Sequence, residues 1–357
     1  MKPTLTALAA SAALACLAVP AQAQSTSSVV LSGLVDAYAG SMRNAGDPGH
    51  TAVVGSGGLT TSWFGFKGIE DLGGGLKATF AVTSFFRPDT GSQGRFNGDP
   101  IFSRDANVGL AGGFGTVQLG RGLAPNFLPT ILANPFGDSF TFSPLVLHAN
   151  VGTTGWPRTT TPSDTGWSNQ VIYSTPKFGG FGANLHYQFG EQSSSTGNDS
   201  KKNVGINGTY FGGPVTLVAF YERDQISNPV NPGLLTTTVG GVALPETRKN
   251  WMVGGAYDFT LVKAYATYGR SKAEISSLES KTGSLGVSVP LGAGSVLAAV
   301  ARTEATSNAF NADRTTASIG YDYFLSKRTD VYAIAMRDRV TALSSGNSFG
   351  VGVRHRF

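Results

Sequence analysis

Residues 349–357 read Phe349-Gly350-Val351-Gly352-Val353-Arg354-His355-Arg356-Phe357. In an extended chain Phe349, Val351, Val353, His355 and Phe357 share one face, and Gly350, Gly352, Arg354 and Arg356 share the other. One face is greasy and the other is bare or charged. The same period of two sets Phe181, Ala183, Leu185, Tyr187 and Phe189 against Gly182, Asn184, His186 and Gln188, and Trp251, Val253 and Tyr257 against Met252, Gly254 and Asp258. A soluble sandwich also alternates, with its apolar face turned inward. Here the second face is rich in Gly, Ser, Thr, Asn and Gln, and aromatic residues gather at strand ends, as at Tyr187/Phe189, Tyr257/Phe259 and Tyr321/Tyr323. Those are the marks of a lipid-facing band with aromatic girdles around a wet interior.

The connections extend the pattern. Tight turns such as Asp71-Leu72-Gly73-Gly74-Gly75, Gly112-Gly113-Phe114-Gly115 and Leu325-Ser326-Lys327-Arg328 alternate with long polar stretches at Arg87 to Pro100, Glu191 to Lys202, Arg223 to Arg248 and Thr303 to Arg314. Counting the alternating segments between Ser28 and Phe357 gives about sixteen strands, an even number that closes a barrel wide enough for water. Closure leaves no strand edge for lipid to meet. The fold expected is therefore all-β, a sixteen-stranded antiparallel transmembrane β-barrel, with the first strand pairing to the last. The longest connection, about Gly122 to Asn169, carries Phe127, Ile131, Phe136, Phe140, Phe142 and Leu145-Val146-Leu147. A loop so apolar is expected to fold inward and narrow the lumen.

Composition agrees. The chain has 357 residues, 48 of them Gly, and only 14% are charged, where a soluble domain carries roughly 7% Gly and about 25% charged residues. The glycines have no three-residue period, which removes a collagen-like reading. The net charge of +5 is spread along the chain, giving nucleic-acid binding no support. Met1-Lys2, the apolar run Leu5 to Val19 and Ala21-Gln22-Ala23 predict an export signal cleaved after Ala23, leaving residues 24–357 as one barrel domain. Cys16, the sole cysteine, falls inside that signal, so the mature chain has no disulfide.

Catalytic and metal chemistry find few carriers. The four histidines, His50, His148, His186 and His355, show no ligand spacing and accompany no nucleophile motif, so no enzyme, metal or cofactor is expected. A passive channel needs only a lumen, a constriction and a field. The candidates for basic wall residues are Lys67, Arg104, Arg121, Arg337 and Arg339, with Asp138 as an acidic counterpart on the inward loop; Asp36 is a weaker lumenal candidate. Trp63 alternates with Phe64 and Phe66 and so shares the lumenal face with Lys67. A surplus of cations predicts a mild anion preference.

Phe64-Gly65-Phe66-Lys67-Gly68-Ile69-Glu70-Asp71-Leu72-Gly73-Gly74-Gly75, then Val108-Gly109-Leu110 with Phe114-Gly115-Thr116-Val117 and Leu119-Gly120-Arg121, together with Leu325-Ser326-Lys327-Arg328-Thr329-Asp330 and Gly352 to Phe357, resemble the β-proteobacterial, neisserial-type general diffusion porins of Gram-negative bacteria. The resemblance runs in order from Val29 to Phe357. It implies a homotrimer in the outer membrane, surrounded by lipid and lipopolysaccharide, passing small hydrophilic solutes and ions. It also implies that Gly122 to Asn169, with Asn134-Pro135-Phe136-Gly137-Asp138, forms the eyelet, and that Phe357 is the signal read by the barrel assembly machinery. Many members carry a basic residue where Trp63 stands, so a narrower eyelet with one charge fewer is implied here. The alternatives are a substrate-selective channel of the same fold, with Trp63 and the aromatic loop as a greasy slide, a surface adhesin without a pore, and an enzyme housed in a barrel.

Overall fold

A computed structural model describes residues 27–150, 156, 164–228, 233–308 and 310–357. The expected export signal at 1–23, and positions 151–155 and 157–163 of the longest connection, lie outside the described residues. Sixteen strands make the barrel wall: β1 (Ser28–Met42), β2 (Trp63–Gly73), β3 (Leu76–Arg87), β4 (Asp105–Gly112), β5 (Gly115–Leu123), β6 (Gly166–Ser174), β7 (Phe181–Phe189), β8 (Lys202–Gly212), β9 (Val215–Asp224), β10 (Arg248–Asp258), β11 (Lys263–Ala273), β12 (Glu279–Leu291), β13 (Gly294–Ser307), β14 (Phe310–Phe324), β15 (Thr329–Val340) and β16 (Gly346–Arg356). Each pairs antiparallel with the next, and β1 closes on β16 from Leu34 opposite Arg356 to Ser41 opposite Phe349. The last residue completes the seam, with the Phe357 N–H donating to the Gly33 carbonyl at 3.0 Å.

Burial runs opposite to that of a soluble sandwich. Phe64, Phe66, Leu185, Leu285, Ile319, Phe349 and Val351 are exposed on the outside, while Asp36, Gln188, Glu222, Arg314 and Asp338 are buried inside. Polar groups face in and apolar groups face out, the arrangement lipid requires.

Three details depart from the sequence reading. Thr303 to Arg314 is no long connection, because β13 continues to Ser307 and β14 resumes at Phe310. A short strand, Thr51–Ser56, pairs with the upper half of β1 from Met42 to Ala37, where β2 has not yet begun; without it that edge would be bare. Arg337 and Arg339 are corrected from lumen to outer wall. On β15 the buried, inward residues are Asp330, Tyr332, Ile334, Met336 and Asp338, and the alternate set Val331, Ala333, Ala335, Arg337 and Arg339 points outside.

The longest connection folds into the barrel, as its apolar content requires. It holds two short helices, α1 (Phe127–Leu132) and α2 (Pro144–Asn150). Phe136, Phe142 and Leu147 pack with Leu59, Leu297, Tyr332, Ile334 and Met336, while Ala133 and Leu145 pack with Val218, Phe220 and Met252. Burying each large side chain contributes about 1.5–3 kcal/mol by transfer from water. Two inward glycines make this contact possible: a Cβ on Gly286 would stand 2.6 Å from Pro135, and one on Gly350 would stand 2.8 Å from the Phe142 ring.

Candidate pore constriction

The loop is held at its inner end by one carboxylate of the wall. Asp36 on β1 accepts the N–H groups of Gly58, Leu59 and Thr60 at 3.0, 2.9 and 2.8 Å, and the Tyr332 hydroxyl donates to it as well. The segment so fixed receives the loop: Ser139 Oγ donates to the Gly58 carbonyl at 2.6 Å and Thr141 Oγ1 to the Gly57 carbonyl at 2.9 Å. Farther along, Ser318 Oγ donates to the Phe142 carbonyl, and His148 lies buried between Thr303 and Thr316, with 2.8 Å from each ring nitrogen to a hydroxyl.

Asp138 sits at the bend this scaffold positions, where Asn134 spans the turn by donating to the Thr130 and Gly137 carbonyls and accepting from the Phe136 N–H. Removal from bulk water pushes the Asp138 carboxyl up to about 6, against the Thr60 hydroxyl and the guanidiniums of Arg354 and Arg104, which favour its charged form. Arg354 in turn donates to Thr60 Oγ1 at 2.8 Å and pairs with Asp330 at 2.9 Å and Asp322 at 3.1 Å. It is therefore a brace near the seam rather than a solvated charge.

At the start of β2 and just before β4, Trp63, Lys67 and Arg104 come together. The Arg104 guanidinium lies 4.0 Å from the centre of the Trp63 ring, a cation–π stack. Asp105 ties the group: it accepts from Arg104 at 2.9 Å and from Thr83 Oγ1 at 2.7 Å, and stands 3.9 Å from Lys67 Nζ. Lys67 keeps 51% of its side chain in solvent, against 18% for Arg104 and 12% for Asp105. A cavity of about 400 Å³ opens here, lined by Lys67, Asp105, Gln118, Leu128, His186 and Asn207.

Arg121 does not join this wall. It is buried at the root of the loop, donating to the Ser103 carbonyl at 2.7 Å and to Ser168 Oγ at 2.8 Å, with Asp164 3.6 Å away. Arg95 meets the same Asp164 at 2.9 Å and also Asp99. Burial alone would raise the Asp164 carboxyl, but Arg95 and Arg121 hold it below its usual range. Arg121 thus clamps the loop's two ends together. The sequence reading missed Asp105, the shared partner of Lys67 and Arg104, because neighbours in a strand point to opposite faces; Arg104 precedes the first residue of β4, where the chain bends. It also missed His148, whose two hydroxyl partners lie more than 150 residues away in sequence.

A profile of Gram-negative porins matches residues 7–343. The chain belongs to the Gram-negative porin family. Outer membrane porin protein 32 of Delftia acidovorans is 32% identical over 328 residues, covering 90% of this chain and 86% of that protein. An outer membrane porin protein of Bordetella pertussis is 26% identical over 341 residues, covering 83% of this chain and 82% of that one. Among solved structures, an anion-selective porin from Comamonas acidovorans superposes with a TM-score of 0.75 at 26% identity, spanning 93% of this chain and all of that one. This porin is accordingly an outer-membrane channel, and its long connections face the cell exterior while the short turns and both strand ends at the seam face the periplasm.

Proposed function

We propose that this porin is a general diffusion channel, working as a homotrimer, whose eyelet lies between Asp138 on the loop and Trp63, Lys67 and Arg104 on the wall, and which passes small hydrophilic solutes and ions with a mild preference for anions. One observation carries the ion preference: Lys67 is half in water, whereas Asp105 is 12% exposed and already engaged by Thr83 and Arg104. A passing ion meets the cation first, and a charge on a low-dielectric wall focuses potential into the lumen. The Comamonas relative, named as anion-selective, points the same way. Residues 1–23 are proposed as the cleaved export signal, Phe357 as the contact for the barrel assembly machinery, and outer-membrane lipid with lipopolysaccharide as the surroundings.

Single-channel recording of the refolded protein in a planar bilayer under a salt gradient tests this. Conductance steps grouped in threes, linear in salt, with a reversal potential on the anion side are expected. A second reading, a substrate-selective channel, gains some weight from the aromatic face that Trp63 lends the eyelet. Saturable block by one class of solute would favour it.

A further inference from the structure

The exterior connection from β3 to β4 is tied to the constriction loop through one side chain. Arg95 lies on that connection with only 10% of its side chain in solvent, its guanidinium 5.3 Å from the centre of the Phe85 ring and 5.2 Å from that of Phe96. Every N–H of its fork is engaged. Nε and Nη2 donate to the two oxygens of Asp99, at 2.9 and 3.2 Å, inside the same connection. Nη1 and Nη2 donate to the two oxygens of Asp164, at 2.9 and 3.0 Å, and Nη1 also reaches Thr165 Oγ1 at 3.3 Å.

Asp164 stands 69 residues away, where the constriction loop returns to the wall just before β6. Its φ of 82° lies in the left-handed region, a conformation that a residue other than glycine keeps when its surroundings fix it. The loop's two limbs meet there: the Asp164 carbonyl accepts from Asn126 Nδ2 at 3.1 Å, and the Thr165 carbonyl accepts the Ala124 N–H at 2.9 Å. Asn126 leads directly into α1, and the Thr130 carbonyl of α1 holds the Asn134 side chain that spans the turn before Asp138. Arg121 reaches Asp164 at 3.6 Å only and directs its other donors to Ser103 and Ser168, whereas Arg95 grips both oxygens through parallel charge-assisted bonds. We propose that Arg95 is a positioning residue for the eyelet: its paired bonds to Asp164 couple the β3–β4 connection to the constriction loop, so that this exterior connection sets where α1 and Asp138 stand in the lumen. The inference rests on the diffusion-channel reading, in which Asp138 borders the eyelet, and adds a control point outside the filter itself.

The test records refolded single channels of wild type, Arg95→Gln, Arg95→Lys and Asp164→Asn, with Asn97→Ala as a control that removes only the exposed 2.8 Å bond from Arg87 on the same connection. In Arg95→Gln the time spent at substate currents should rise about tenfold, because charge-assisted hydrogen bonds that hold the loop are lost. Larger polyethylene glycols should also enter the lumen. The pH inflection of anion preference, near 6 in wild type, should move toward the ordinary aspartate value of about 4 as the released loop returns Asp138 to water. Asp164→Asn should reproduce these changes, Arg95→Lys should recover part of the wild-type behaviour, and the double variant Arg95→Gln/Asp164→Asn should be no worse than either single one. Asn97→Ala should match wild type in all three readouts. Lower heat resistance of Arg95→Gln with the substates, polymer cut-off and inflection unmoved would mean a merely structural role and overturn the proposal. Equal changes in Asn97→Ala would overturn it too, since any loosening of the connection would then suffice. If Arg95→Gln does not fold, Arg95→Lys and Asp164→Asn carry the same comparison. A folded wild type without conductance steps would sink the channel reading instead; the coupling is then read from proteolysis, which should cut the constriction loop faster in Arg95→Gln than in wild type, and equal rates would overturn it.

Discussion

Along β13–β16 the inner wall is covered: Phe136, Phe142 and Leu147 press on Leu297, Tyr332, Ile334 and Met336, and the glycine at 350 lets the Phe142 ring approach the backbone. Along β2–β4 it is bare: half of the Lys67 side chain is in solvent beside the Trp63–Arg104 stack and the largely buried Asp105. The covered side behaves like the core of a soluble domain, dry and apolar with its few polar groups paired. The bare side keeps the Lys67 ammonium half in water, where on the proposed reading it acts on ions. On the reading proposed above, one half of the lumen holds the loop and the other half carries the filter residues that face it.

The largest expected effect comes from unfastening the covered side. Asp36→Ala leaves the N–H groups of Gly58, Leu59 and Thr60 without their acceptor, at a cost of about 1–3 kcal/mol for each buried group left unpaired. The folded band on a heat-modifiability gel should be lost at a markedly lower temperature, and the surviving channels should be noisy; an unaltered gel would mean the loop is held elsewhere.

Reversing the bare side comes next. In Lys67→Glu the half-exposed cation becomes an anion, and since lumenal fields reach several kT, the anion-to-cation permeability ratio should fall by about threefold or more. A reversal potential identical to wild type would remove Lys67 from the filter.

Acidification probes the gap between the two sides. As pH falls through about 6 the Asp138 carboxyl takes up a proton, the loop loses its negative charge, and anion preference should rise. In Asp138→Asn the preference should be high already and flat across that window. A wild-type profile with no inflection there would contradict the position given to Asp138.

Two smaller effects sharpen the boundary. Arg121→Ala should leave the reversal potential unchanged while lowering thermal resistance, because the side chain clamps Ser103, Ser168 and Asp164 rather than facing ions. Trp63→Ala should widen the bare side and raise conductance slightly, with Arg104 losing a stacking contact worth about 0.5–1 kcal/mol; a fall in conductance would show that the ring holds Arg104 out of the path.

The sixteen strands were legible because a period of two is written wherever one face meets lipid, as from Phe349 to Phe357. The inward loop was legible from its aromatic content. The orientation of Arg337 and Arg339 was not, and the covered wall explains why. Where the loop docks, the inner face of β15 is itself apolar, with Tyr332, Ile334 and Met336, while its outer face carries small alanines, so the greasier face of this strand points inward. Arg121 was illegible for a different reason: β5 slips register between Gly120 and Gly122, and the partner Asp164 lies 43 residues on in sequence.

The most direct measurement exploits a chain whose sole cysteine is Cys16, ahead of the first barrel strand. Lys67→Cys and Arg337→Cys channels, refolded from residue 24 onward, would be exposed in a planar bilayer to a bulky, negatively charged thiol reagent. Modification at 67 should lower the conductance stepwise and move the reversal potential toward cations, while the same reagent should leave the current through Arg337→Cys channels untouched. Block at 337 with no response at 67 would place the filter on the wrong wall and contradict the account.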